Sequence, residues 1–276
     1  MNTPMNTEGR PVDPTSSYVW YCAFGSNLWS HRFAAYLTGG PVPYAVAGRV
    51  QEGARNPALP PASATTALDH HELVFSGDAP SWGGGGVAYL APDRSGATPT
   101  PYGRLWLITI EQFCDVFTQE NRLAIGDADE VLFDAIAPLV SAGRSGAVDQ
   151  TQTSEAPPST LEPHNQPIIV ERAYGRLVPL GFVSPAARAD APPLTQAKVP
   201  VLTFTRPDAA TLTLNPAQHP YLVVMGLGLL EGWGLSPLQA AQYLTACAGN
   251  QDTVAPDALA AAIADAAQTQ LPPSRS

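Results

Sequence analysis

Seven residues, Tyr18 to Phe24, constrain this chain more than any other stretch. They are aromatic, β-branched or small and apolar, and Gly25-Ser26-Asn27 ends them abruptly. Such a run reads as a buried strand entering a turn. Trp29, Phe33, Tyr36 and Leu37 then fall at helical spacing, and Gly39-Gly40-Pro41 supplies a stop. The turn therefore lies between a strand end and the start of a helix.

Bulk properties bound the rest. With 276 residues, 45% of them apolar, the chain can bury a sizeable core as one large domain, with or without appendages. Its net charge of -10 repels phosphate backbones and anionic lipid surfaces, so neither nucleic acid nor a membrane is an expected partner. Met1 to Ser17 is polar and lacks the basic and apolar runs of an export signal; it reads as a loosely held or disordered tail, residues 1–17. The longest apolar stretch, Tyr221 to Leu230, is broken by Gly226 and Gly228 and is too short to cross a bilayer. Cys22, Cys114 and Cys247 are odd in number and far apart, which suggests neither a disulfide framework nor a zinc cluster. A cytoplasmic location is the expectation, with each thiol acting as a small buried apolar group.

Further along, Pro41 to Ala67 reads as a long irregular connection, and strand patterns recur at residues 71–75, 87–90 and 102–108. Thr109 with Gln112 three residues on is a capping box, so a helix should run from there to about Arg122. Ser141 to Pro163 has the composition of a flexible surface loop, within an insertion of about 126–165. Strands resume at 167–172, 176–183 and 199–204, and helices follow at about 221–231 and 237–248. Residues 249–276 form an Ala-rich C-terminal helix and tail around 256–267. The pattern indicates an α+β domain, residues 18–248, built on a curled sheet or small mixed β-barrel with flanking helices.

On the helix after Thr109, Ile110, Phe113, Cys114 and Phe117 form a core-facing stripe, and one more turn reaches Glu120. An inward carboxylate needs a partner or a task. A helix end that has already reached solvent accounts for it as well, and spacing leaves both readings open. At the turn, Gly25 lets a ligand approach the main chain, and N–H groups at a helix start attract an oxyanion. A plain glycine turn with Ser26 or Asn27 as N-cap is the competing reading. The glycines at 83–86 lack the Lys-Ser/Thr of a phosphate loop and read as a bulge or close backbone approach. Ser26 as a nucleophile has no histidine at a hydrolase spacing, His70-His71 in a strand would point to opposite faces, and Glu111 is explained by the helix dipole.

Taken in order, these pieces resemble the γ-glutamylcyclotransferase-like family. Tyr21-Cys22-Ala23-Phe24-Gly25-Ser26-Asn27-Leu28 is similar to its opening signature. Phe75-Ser76-Gly77, the stretch from Ser81 through Trp82 to Ala88, the Gly-containing strand at 102–108 and the helix delivering a glutamate follow suit. Asn215 to Leu222 resembles the family's later helix entry. The likeness covers roughly residues 18–248 without the insertion.

That resemblance implies a small β-barrel with flanking helices and a cofactor-free, metal-free cyclisation of γ-glutamyl amines or related amides. The substrate's α-amino group attacks its own γ-carbonyl, releasing 5-oxoproline and an amine. By position, Glu120 would be the general acid/base. Phe24, Gly25, Ser26, Asn27 and Leu28 would cradle the glutamyl group, with Trp82, Gly83 and Tyr221 lining the pocket. Two departures stand out: Phe24 where many members have tyrosine, and Asn121 where glycine is common. The alternatives are an amidohydrolase in which Glu120 activates water, and a non-catalytic binding module on the same fold.

Overall fold

The computed structural model describes residues 12–92, 98–145, 169–183 and 198–270. Strand β1 (Tyr18–Ala23) is central to a five-stranded sheet ordered β4-β7-β1-β9-β8. It pairs antiparallel with β7 (Tyr102–Thr109) and parallel with β9 (Val199–Thr205). β4 (Ser63–Ala67) and β8 (Arg176–Val183) form the edges, each antiparallel to its neighbour.

Both faces of this sheet are covered, which explains the unbroken apolar runs. Val19, Tyr21 and Ala23 of β1 face one core with Trp106 and Ile108 of β7 and Phe204 of β9. Trp20 and Cys22 face the other with Leu105, Leu107 and Val201. Helices α1 (Ser30–Thr38), α2 (Ile110–Glu120) and α3 (Asp129–Ser145) contribute to the first core. Helices α4 (His219–Trp233), α5 (Pro237–Ala246) and α6 (Pro256–Gln270) contribute to the second. The close fit at the second core needs Gly228, where an added Cβ would lie 2.5 Å from Leu28 Cβ.

The expected barrel is not closed among the described residues. β2 (Gly40–Pro41) pairs with β3 (Val50–Gln51), and β5 (His71–Ser76) forms a separate hairpin with β6 (Val87–Pro92). That hairpin reaches the main sheet through a side chain: Thr205 Oγ1 accepts from Leu90 N (3.0 Å) and donates to Leu90 O (2.9 Å). A hydroxyl thus bridges β6 and β9 where a closed barrel would run a ladder of main-chain bonds.

Other expectations need correction. Residues 12–17 are not a loose tail, because Val12 is buried, Ile110 N–H donates to Ser17 O, and Arg144 Nη2 donates to Ser17 Oγ at 2.8 Å. Most of the first half of the supposed insertion is α3, whose Leu132, Ile136, Ala137 and Val140 are fully buried, so 129–145 is a packed element. Residues 169–170 belong to no regular element and 171–172 form a bend, so no strand runs there, and residues 1–11, 146–168 and 271–276 lie outside the described ones. The C-terminal helix is no appendage, since Leu259 and Ile263 are buried against α4 and α5. Thr109 does cap α2 with Gln112 in a reciprocal box.

Candidate active site

Between the end of β1, the C-terminus of α2 and the start of α4 lies a cavity of about 330 Å³. Phe24, Gly25, Ser26, Asn27, Trp82, Glu120 and Tyr221 all line it, drawn from four distant stretches of chain.

Its loop is held from behind. Residues 26–28 form a single 3-10 turn, and α1 begins only at Ser30. Trp106 Nε1 donates to Asn27 O (2.9 Å), and Arg104 Nη1 donates to Leu28 O (3.0 Å). Arg104 is itself fixed by Glu231 (3.1 Å), whose other oxygen accepts from Ser30 N and Oγ. Burial opposes the charge on Glu231, but these donors prevail and hold its carboxyl below the usual value.

Glu120 ends α2, half-buried, after a stripe that is buried throughout. Its Oε1 accepts from Asn27 Nδ2 at 3.0 Å, and the same amide donates to Tyr21 Oη at 3.1 Å. The Tyr36 hydroxyl is directed at the carboxylate from α1. Behind Tyr36 stands Arg32, 1% exposed, which donates to the Tyr36 oxygen and stacks over the ring at 4.1 Å. Among the described residues Arg32 Nε and Nη1 have no hydrogen-bond partner, and the Tyr36 phenol stands between this buried cation and the carboxylate.

Opposite, the Tyr221 hydroxyl accepts from Ala88 N–H at 3.2 Å, with the Ser26 N–H also directed at it. With its lone pairs taken, its own proton is left to donate into the cavity. Burial pushes this phenol well above its ordinary value, as it does those of Tyr21 and Tyr174, with the Glu120 charge acting in the same direction. All three are donors at neutral pH. Gly25 is required here because a Cβ would lie 2.8 Å from Tyr221 Oη. Trp82 packs edge-on against the same ring at 5.2 Å.

Two expected residues are elsewhere. Leu28 does not line the cavity: its side chain packs in the second core, and its N–H donates to Gly25 O within the turn. Gly83 caps the short turn 80–82 in a left-handed conformation and carries Trp82 without lining the cavity. The donors expected from a helix N-terminus are also differently placed, because Ser30 at the start of α1 is taken by Glu231.

Sequence reading missed Arg32, Tyr36, Arg49, Arg122 and Tyr174. Arg32 follows Asn27 by five residues and shares α1's buried face with Phe33 and Tyr36, so a buried arginine in an apolar stripe was the available signal. Asn121, noted as a departure, accepts from Tyr174 N (2.9 Å) and donates to Tyr174 O (3.3 Å), which brings the segment 172–174 onto the cavity. No histidine lines it among the described residues.

Fold and site together define an α+β protein whose cavity sets one carboxylate among tyrosine hydroxyls and an asparagine amide. No family model matches the chain. A protein named histone deacetylase 5, from Arabidopsis thaliana, is 30% identical over 249 residues, 87% of this chain and 32% of that protein. The chain thus spans about a third of the curated relative it matches. Among solved structures, one titled gamma-glutamyl cyclotransferase aligns with a TM-score of 0.39 and 13% identity, covering 88% of this chain and 98% of its own. An uncharacterized protein from Homo sapiens aligns at 0.39 and 14%, covering 89% and 99%.

Proposed function

We propose that this chain is a γ-glutamylcyclotransferase-like enzyme that cyclises γ-glutamyl amines to 5-oxoproline, with Glu120 as the acid/base. The observation that carries this reading is the Asn27–Glu120 hydrogen bond across a cavity that also holds Gly25, Ser26 and Tyr221.

In this reading the substrate's α-ammonium sits against Glu120 and the buried Asn27 Oδ1, which has no partner among the described residues. Glu120 takes one proton, and the freed amine attacks the γ-carbonyl, forming the ring C–N bond. The oxyanion that develops meets the Tyr221 hydroxyl, whose oxygen the Ala88 and Ser26 N–H groups hold in place, and a fixed donor of this kind is worth most there. Glu120 then protonates the leaving nitrogen as the original amide C–N bond breaks, and the carboxylate so regenerated takes the second proton from the ring nitrogen and passes it to the released amine. A five-membered closure is intramolecular, so positioning supplies much of the acceleration, with effective molarities of about 10⁵ M or more. One shuttle carboxylate is then sufficient, contributing about 10² to 10⁴-fold.

The test is product identity with a panel of γ-glutamyl amines. 5-Oxoproline plus free amine supports the proposal, whereas free glutamate would assign Glu120 to water activation and make the chain an amidohydrolase.

A further inference from the structure

Cationic groups are concentrated at the cavity. Of the chain's 14 Lys and Arg residues, Arg32, Arg49, Arg122 and Arg172 line it, against the carboxylates of Asp78 and Glu120, in a protein of net charge -10. Arg32 and Glu120 are already linked through Tyr36. Arg49 donates to Ser81 Oγ at 3.2 Å, and none of Arg49, Arg122 and Arg172 is in an ion pair among the described residues.

The cavity also continues. A shallow groove of about 470 Å³ adjoins it and shares Arg49, Ser81 and Arg122 as common wall; Glu52 lines the groove but not the cavity. Arg122 is held there by an unfavourable backbone. It follows the C-cap of α2 with φ +54°, while Leu123 N–H bonds back to Thr118 O, a helix ending that ordinarily uses glycine. An arginine in the left-handed region is a strained choice, and strain of this kind collects where a side chain has a task.

A γ-glutamyl head group is a zwitterion and adds no net negative charge, so an anion that meets the guanidinium groups of the half-buried Arg49 and the exposed Arg122 and Arg172 comes from the leaving half. We propose, building on the cyclotransferase reading above, that the leaving amine carries a doubly charged oxyanion of the phosphate or phosphonate type. Arg49 and Arg122 grip it where cavity and groove meet. These two arginines are then the residues that determine specificity, since paired guanidinium groups hold such oxyanions by charge-assisted hydrogen bonds.

The experiment compares four γ-glutamyl probes with similar short linkers: those of propylamine, β-alanine, taurine and 2-aminoethylphosphonate. Binding is measured by calorimetry on the Glu120→Gln protein, which suppresses turnover, alone and combined with Arg49→Gln, Arg122→Gln or Arg122→Gly. The phosphonate should bind at least about tenfold tighter than the singly charged probes, with the neutral one weakest. Each arginine substitution should shrink that order. Arg122→Gly is also expected to melt no lower than its parent, because glycine suits the backbone there. Equal affinity for phosphonate and taurine, a preference that survives both glutamine substitutions, or no binding of any probe overturns the proposal. Turnover by the unsubstituted protein separates the two ideas. Phosphonate preference without 5-oxoproline removes the cyclotransferase reading and leaves the anion site, and 5-oxoproline without charge preference does the reverse.

Discussion

Asn27 and Glu120 stand 93 residues apart in sequence and are joined by a 3.0 Å hydrogen bond from the amide nitrogen to the carboxylate. Asn27 can hold this position because its own carbonyl is fixed by Trp106 and its side chain braces against Tyr21. Asn27→Ala removes the brace while sparing the fold's main ladders. Steady-state kinetics on a turned-over γ-glutamyl amine should show kcat lower by about a hundredfold. A kcat within about twofold of the parent would mean that Asn27 does not orient the carboxylate.

Arg32 offers a cleaner separation of stability from function. Among the described residues its buried charge has no direct carboxylate partner, so replacing it with an apolar side chain of similar reach should leave stability equal or raise it. Arg32→Met also releases Tyr36, which is directed at Glu120. The expected outcome is an unchanged or higher urea midpoint with kcat reduced about tenfold or more. Loss of stability with full activity would make Arg32 a purely structural residue.

Much of the fold could be read from residues alone, for identifiable reasons. β1, α1 and the Thr109 box carry strong local signals, and each lies where periodicity and capping placed it. Barrel closure was not legible, because a strand covered on both faces and a strand curling into a barrel share the same continuous apolar run. What separates the two is strand pairing: the β5-β6 hairpin is a sheet of its own among the described residues. α3 was hidden by its Gly143-Arg144-Ser145 end, which resembles the polar stretch that follows. At the site, Glu120 and the turn at 25–27 are local features of their own elements. Arg122 and Tyr174 reach the cavity through a left-handed backbone and through Asn121, and neither relationship leaves a mark in spacing.

Gly228 sets how closely α4 approaches the loop. Gly228→Ala forces a methyl against Leu28 and the Trp29 main chain, and overpacking of this kind costs about 1–3 kcal/mol. Denaturant unfolding should show that loss, with activity falling as well because Leu28 directly follows Asn27. A fully stable variant would show that the two elements separate without penalty.

The buried phenols give the fold an alkaline limit. Burial, assisted by the Glu120 charge, raises Tyr21, Tyr174 and Tyr221 above the ordinary tyrosine value of 10.0. A group raised in the folded state stabilises fully below its unfolded pKa, and that contribution is lost as pH climbs toward the folded one. The urea midpoint should therefore hold near neutrality and drop once pH passes about 10. A midpoint flat across that range would mean that these phenols ionise as freely as in the unfolded chain.

The central claim is that Glu120 moves the proton. Glu120→Gln keeps the side chain's shape and can still bond Asn27 through its amide oxygen, but it can no longer accept and return a proton. The deciding measurement is 5-oxoproline released from one γ-glutamyl amine by both proteins, alongside calorimetric affinity for that amine. The account predicts retained binding with turnover reduced by about 10² to 10⁴-fold in the variant. 5-Oxoproline formed at the parent rate by Glu120→Gln would contradict it.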